Sequence, residues 1–229
     1  SEAVIDNKAD LGIAWDGDFD RCFFFDEKGN FIEGYYLVGL LAKSFLIKNR
    51  NERVIYDPRL TWNTIDIVER YGGDAIQCQS GHSFIKKSMR DNDAVYGGEM
   101  SAHHYFRDFY YCDSGMIPWL LILEMISEEK MPLSQMIQKY RERYPVSGEI
   151  NLKVNNTKTI IDSIKEYYLD DALGVDETDG VGMEFEKWRF NLRASNTEPL
   201  IRLNVESNSN ESLMNEKTRE LVDRINSLD

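Results

Sequence analysis

No stretch of this 229-residue sequence approaches the roughly 18 consecutive apolar residues that a membrane-crossing helix needs. Its opening, SEAVIDNKAD, lacks the basic and then apolar character of a signal peptide. Cysteine is scarce and odd in number. Cys22, Cys78 and Cys112 stand far apart, which speaks against a disulfide framework or a zinc site and for free thiols in a reducing, cytoplasmic compartment. Positive charge is also short: 27 Lys and Arg face 40 Asp and Glu, a net charge of −13. That field argues against nucleic acid or an anionic membrane surface as the main partner. An anionic ligand would need cations gathered locally, so each cluster of Arg, Lys and His is informative here. The sequence has no internal repeat and no low-complexity tract.

With 42% hydrophobic residues, the chain can build the core of one large or two ordinary domains. LGIAW and CFFFD predict two short strands joined by a loop, with Lys28-Gly29-Asn30 as the next turn. Leu37, Leu40, Leu41 and Phe45 follow helical spacing, and strands and helices then alternate through Tyr96. After a loop rich in His and aromatics come two helices split at Met131-Pro132 and closed by Pro145. From Val146 strands dominate, with a helix over 160–168 and an amphipathic terminal helix.

The expected fold is therefore α/β: a mixed, mostly parallel sheet in an α/β/α domain over 34–145, then a smaller α+β domain with an antiparallel sheet over 146–229. LGIAW needs sheet neighbours that the ten residues before it are too short to supply, so residues 1–33 are expected to be the tail of a further domain.

Four short strings could carry chemistry. In AWDGDFDRCFFF, Asp16, Asp18 and Asp20 occupy three of five positions. Alternate residues of an extended segment point the same way, so the three carboxylates can converge, with Gly17 supplying a tight bend. Such an oxygen site suits Mg²⁺. A solvated acidic turn is the alternative. An EF-hand is disfavoured, because Arg21 stands where that loop needs glycine and the flanks are strands.

In GHSFIKK, a glycine precedes a helix start, and His82 and Lys86 would add positive charge for a phosphate or hydroxyl, although an ordinary helix start reads the same way. In YGGEMSAHHYF, Glu99, Ser101 and His103 present an acceptor, a hydroxyl and an acid or base suited to sugar hydroxyls. Packing histidines are the bland reading, and the adjacent His103 and His104 cannot easily share a metal. In RASNTEP, Arg193, Ser195, Asn196 and Thr197 gather phosphate donors on one tight loop, with an ST-rich turn as the alternative.

DGDFDR, GHSFIK, GGEMSAHH and RASNTEP, in this order, resemble the α-D-phosphohexomutase family, and its bacterial phosphomannomutase branch most closely. The resemblance implies a four-domain protein. The first domain carries a phosphorylated serine, the second the metal loop, the third the sugar loop and the fourth the phosphate loop. It implies Mg²⁺ on Asp16, Asp18 and Asp20, with Arg21 beside it. Glu99 and Ser101 would bind hexose hydroxyls, and His103 would act near the reacting oxygen. His82 and Lys86 would line the cleft, and Arg193, Ser195, Asn196 and Thr197 would hold the phosphate that is not transferred. Arg59, in YDPRLTWNT, stands where many members have lysine; its planar fork favours an electrostatic role over that of a general acid.

The implied reaction interconverts mannose 6-phosphate and mannose 1-phosphate through a hexose 1,6-bisphosphate, which reorients between two phosphoryl transfers with the phosphoserine. Its product would feed GDP-mannose synthesis. The family's phosphoserine motif, of the Thr-Ala-Ser-His-Asn-Pro type, is absent from these residues. The chain is therefore expected to lack mutase turnover by itself, and its first partner would be N-terminal domains of the same protein. GEMS rather than GEQS disfavours an amino sugar, and HHYFRDFYYCDSGMIPW favours phosphomannomutase over phosphoglucomutase, with dual use left open. Other readings are a noncatalytic sugar-phosphate module and, more remotely, an aspartate-nucleophile phosphatase. Oligomeric state is not legible.

Overall fold

Contacts divide the computed structural model, which describes residues 1–195 and 198–229, into two units. The first comprises Ser1–Asp57 and Thr61–Tyr140, the second Pro58–Leu60 and Arg141–Asp229.

The first unit begins with a short helix, α1 (Glu2–Asn7), and an antiparallel sheet of β1 (Gly12–Trp15), β2 (Cys22–Phe25) and β3 (Phe31–Ile32) in that order. The acidic loop joins β1 to β2, whose ladder closes at Trp15 and Cys22. The β2–β3 turn is held by Asp26, whose Oδ1 accepts the N–H of Lys28 at 2.9 Å and of Asn30 at 2.8 Å.

A second sheet follows, built from β4 (Arg53–Tyr56), β5 (Asp74–Gln77), β6 (Tyr96–Gly98), β7 (His104–Phe106) and β8 (Cys112–Asp113), in the order β5-β4-β6-β7-β8. It is parallel across β5-β4-β6 and antiparallel at β7 and β8. The connecting helices are α2 (Gly34–Lys48), α3 (Trp62–Arg70), α4 (His82–Asn92), α5 (Pro118–Glu129) and α6 (Leu133–Arg143). The apolar spacing of α2 is explained by near-complete burial, Leu37, Leu40 and Leu41 included.

Glycine is needed on β6. A Cβ at Gly97 would meet Met89 Sδ at 2.9 Å and Ile85 at 3.1 Å on α4, and one at Gly98 would meet Val38 of α2 at 2.7 Å. Successive strand residues face opposite sides, so this pair lets helices close on both faces of the sheet. The aromatic loop read after β6 in fact contributes β7 and β8. At two or three residues each, they carry no alternation that a sequence pattern could register, and only pairing such as Tyr96 with Phe106 defines them.

The second unit is an antiparallel sheet of β9 (Val146–Lys153), β10 (Gly174–Asp176), β11 (Val181–Glu184), β12 (Trp188–Ala194) and β13 (Leu200–Ser207), ordered β10-β11-β12-β13-β9. It packs with α7 (Thr157–Tyr168) and α8 (Glu211–Leu228). Both helices start at asparagine caps: Asn156 accepts the Thr159 N–H and Asn210 the Leu213 N–H. Phe190, Leu192, Leu203 and Val205 form its core with Ile160, Ile164, Leu221 and Ile225. Among the described residues no helix is long and apolar enough to cross a membrane. Cys22, Cys78 and Cys112 are free thiols.

Candidate functional site

In the first unit the β1–β2 loop brings one oxygen each of Asp16, Asp18 and Asp20 within 4.8 Å of one another. The route to that convergence differs from the expected one. The loop is a turn rather than an extended run, and the left-handed residue is Phe19, with φ 63°, not Gly17. A left-handed residue reverses the chain locally. Phe19 is 58% exposed, so its ring does not constrain the reversal. The loop leans on the segment after β8: Gly115 donates its N–H to Phe19 O at 3.1 Å and accepts Trp15 Nε1–H at 2.8 Å. A Cβ at Gly115 would lie 2.6 Å from Phe19 O, so this approach requires glycine.

Arg21 braces the loop. Its Nε lies 2.5 Å from Asp16 Oδ2, its backbone N–H donates to Asp16 Oδ1 at 3.2 Å, and Asp20 Oδ1 is 3.7 Å from Nε. Burial pushes the Asp16 carboxyl up, but the bonds from Arg21 outweigh it and hold the group below its usual value. Asp20 is raised by burial and by Asp16, Asp18 and Asp113, against the pull of His103. Its buried Oδ1 has no hydrogen-bond donor. Three convergent carboxylates, one with an orphaned oxygen, fit a hard divalent cation such as Mg²⁺.

The loop after β6 meets this one edge to edge. Arg21 and His103 form a bridge, and Cys22 donates its N–H to Ala102 O at 3.3 Å. His103 sits between two carboxylates, with Nε2 3.5 Å from Asp20 Oδ2 and Nδ1 3.6 Å from Glu99 Oε2. Ser101 Oγ is 3.2 Å from the same Nδ1.

Glu99 is buried, with Oε1 accepting the Gly81 N–H at 2.9 Å and Oε2 the Tyr105 hydroxyl at 2.7 Å. Asp57 fixes the loop further, its Oδ2 accepting the Met100 N–H at 2.7 Å. On α4, Lys86 Nζ lies 2.7 Å from Asp113 Oδ1, and Asp113 forms a second potential ligand cluster with Asp20 and His103. His82 is exposed at the first position of α4. The adjacent His104 takes the other side of β7, fully buried, with Nδ1 2.7 Å from the Tyr96 hydroxyl. Burial, helped by His103, lowers it to about 3, so it is a neutral core histidine.

In the second unit, Arg193 on β12 and Arg202 on β13 are register partners. Both approach Glu149 of β9, with Arg193 Nη2 at 3.7 Å and Arg202 Nη1 at 3.4 Å. Arg59, from the segment grouped with this unit, places Nη1 3.7 Å from the same carboxylate. Asp179 lies 3.7 Å from Arg193 Nη1. Burial, with the charges of Arg59 and Arg202, lowers the Arg193 pKa.

Arg59 is seated by its backbone. Arg189 donates to the carbonyls of Pro58 and Arg59 at 3.0 and 3.1 Å while pairing at 2.8 Å with fully buried Glu206. Ser195 closes the β12–β13 loop through a backbone bond to Leu200 O at 2.9 Å. Asn196 and Thr197 lie outside the described residues.

Residues 33–144 match the phosphoglucomutase/phosphomannomutase alpha/beta/alpha domain III, and residues 149–222 match the C-terminal domain of the same proteins. The chain belongs to this α-D-phosphohexomutase family. It is similar to the phosphomannomutases of Vibrio cholerae, at 57% identity over all of this chain and 50% of the relative, and of Escherichia coli K12, at 55% over 98% and 49%. A crystallised phosphoglucomutase/phosphomannomutase family protein of Burkholderia thailandensis superposes with a TM-score of 0.82 at 27% identity, covering 98% of this chain and 49% of that one. The chain thus spans about half the length of the curated relatives it matches.

Several residues of this phosphohexomutase chain that hold the clusters together were not singled out by motif reading. Asp57 and Tyr105 support the loop after β6, and Asp113 lies beside Asp20 and His103; Glu149, Asp179, Arg189, Arg202 and Glu206 surround Arg59 and Arg193. For Asp113, the CDSG turn just after the aromatic run was an available signal.

Proposed function

We propose that this chain supplies the hexose- and phosphate-recognising parts of a phosphomannomutase, which interconverts mannose 6-phosphate and mannose 1-phosphate. The observation that carries this reading is the placement of His103 between the Asp20 and Glu99 carboxylates, where a metal loop and a sugar loop share one imidazole. On this reading residues 1–33, 34–145 and 146–229 are the end of the metal-loop domain, the sugar domain and the phosphate domain.

Asp16, Asp18 and Asp20 would hold Mg²⁺, which would supply charge stabilisation to a phosphoryl group in transit. Arg21, paired with Asp16 and close to Asp20, keeps Asp16 ionised and adds positive charge beside the cluster. Glu99 and Ser101 accept from or donate to the hexose hydroxyls, and His103, hydrogen-bonded to Ser101, moves the proton of the reacting hydroxyl.

His82 and Lys86 bring positive charge to the approach of the sugar phosphate. Arg193, Ser195, Asn196 and Thr197 grip the phosphate that stays, with Arg59 as an electrostatic partner. A hexose 1,6-bisphosphate that turns over between the two transfers is the intermediate. The phosphorylated serine belongs to a part of the protein that this sequence does not contain, since no Thr-Ala-Ser-His-Asn-Pro-type motif occurs in it.

A coupled assay with mannose 1-phosphate, Mg²⁺ and a hexose 1,6-bisphosphate activator tests the reading. The polypeptide that includes the serine loop turns over, and its His103→Asn variant loses roughly 10²- to 10⁴-fold in rate. The 229-residue chain alone shows no turnover. Equal rates for His103→Asn and the parent would overturn the assignment. Running mannose 6-phosphate against glucose 6-phosphate separates a mannose-specific from a dual-specificity mutase.

A further inference from the structure

We infer that Glu149 is a positioning residue. It occupies, as an internal anion, the point on which Arg59, Arg193 and Arg202 converge, and so keeps their hold on a bound phosphate exchangeable. The inference rests on reading these arginines as the phosphate site.

Three guanidinium nitrogens, one from each arginine, lie 3.4–3.7 Å from the two Glu149 oxygens. At these distances none of the three makes with Glu149 the short, parallel, two-bond contact that arginine can form with a carboxylate. The carboxylate is shared loosely. The three side chains come from separate places: Arg193 and Arg202 from paired strands, Arg59 from a segment pinned by Arg189. Backbone therefore holds like charges together, and Glu149 on the neighbouring strand β9 offsets their repulsion.

The site is not saturated. Arg193, only 14% exposed, keeps a buried Nε without a hydrogen-bond acceptor, and Arg202 Nε is in the same state. A planar fork with an unfilled donor is arranged for a ligand with more acceptor oxygens than one carboxylate supplies, and phosphate has them. Glu149 is then both what assembles the arginines and what an incoming phosphate must share them with. In a reaction whose bisphosphate must release one phosphate end and present the other, a site that bound phosphate too tightly would trap the intermediate.

The test is a titration of the full 229-residue chain with inorganic phosphate, followed by calorimetry or phosphorus NMR, beside thermal unfolding. Glu149→Gln should bind phosphate about tenfold more tightly, because an anionic competitor is gone, and should melt at lower temperature, because the arginines repel with nothing between them. The opposite signs matter, since a purely structural glutamate would lower both. Should Glu149→Gln fail to fold, Glu149→Ala carries the test, with the same expected gain in phosphate affinity.

Unchanged or weaker phosphate binding by the folded variant, with wild type binding and Arg193→Gln not, would overturn the role of Glu149 and leave the phosphate site standing. Failure of wild type to bind phosphate more tightly than Arg193→Gln would overturn both.

Discussion

Glu99 Oε1 accepts the backbone N–H of Gly81 at 2.9 Å, so one buried carboxylate ties the residue that opens α4 to the loop that follows β6. Its other oxygen takes the Tyr105 hydroxyl of β7. The GHSFIK and GGEMSAHH strings, 18 residues apart at this contact, are parts of one hydrogen-bonded assembly. Glu99 is a structural keystone there as well as a candidate ligand for sugar hydroxyls.

Replacing Glu99 by Gln should therefore cost stability before any ligand is added. The amide has one acceptor oxygen for two donors, so either Gly81 N–H or the Tyr105 hydroxyl faces an NH₂ group. An unsatisfied buried donor costs about 1–3 kcal/mol. Thermal unfolding followed by circular dichroism should fall by several degrees, and an unchanged midpoint would show these bonds to be idle.

The Asp16, Asp18 and Asp20 cluster should bind Mg²⁺ weakly in this chain alone, because three carboxylates leave the remaining positions to water. Calorimetric titration should show no saturation at micromolar Mg²⁺, and Asp18→Asn should weaken binding further. Asp20 is raised above its usual value, so metal affinity should already decline as the pH drops towards that raised value, while Asp16, held low by Arg21, stays ionised. Saturation at micromolar metal would contradict this.

His104 should make the first unit acid-sensitive. Its pKa falls from 6.5 to about 3 on folding, through burial and the neighbouring His103, so the unfolded chain takes up a proton that the folded chain refuses. The stabilisation is complete above pH 6.5 and is lost as the pH falls from there towards 3. His104→Asn keeps an acceptor for the Tyr96 hydroxyl and removes the titration, so its denaturant midpoint should vary less with pH across that window. Parallel pH profiles for the two proteins would refute the assignment.

Arg189 and Glu206 form a buried pair at 2.8 Å, and breaking one side should be worse than removing both. Arg189→Met takes the countercharge at 2.8 Å away from fully buried Glu206, at about 3–5 kcal/mol. Adding Glu206→Met should recover part of the loss in urea unfolding. Recovery stays incomplete, since the Pro58 and Arg59 carbonyls also lose their donor.

Much of the fold was legible because it is written in local period. The helical spacing of Leu37, Leu40 and Leu41, the two runs flanking the aspartates and most of the strands from Val146 onward depend on neighbours a few residues away. The short strands β7, β8 and β10 were not legible, since two or three residues acquire strand character only from a partner.

The candidate site divides in the same way. Asp16, Asp18 and Asp20 announce a candidate cation site by composition within five positions, and that candidacy the sequence raised by itself. Tertiary structure alone decided the rest. Phe19 rather than Gly17 turns the loop; His103 faces Asp20 while His104 enters the core; Arg59, Arg193 and Arg202 meet on Glu149. The reason is physical. Charge density can be read along a chain, but the partner that balances each charge is chosen by packing between segments far apart in sequence.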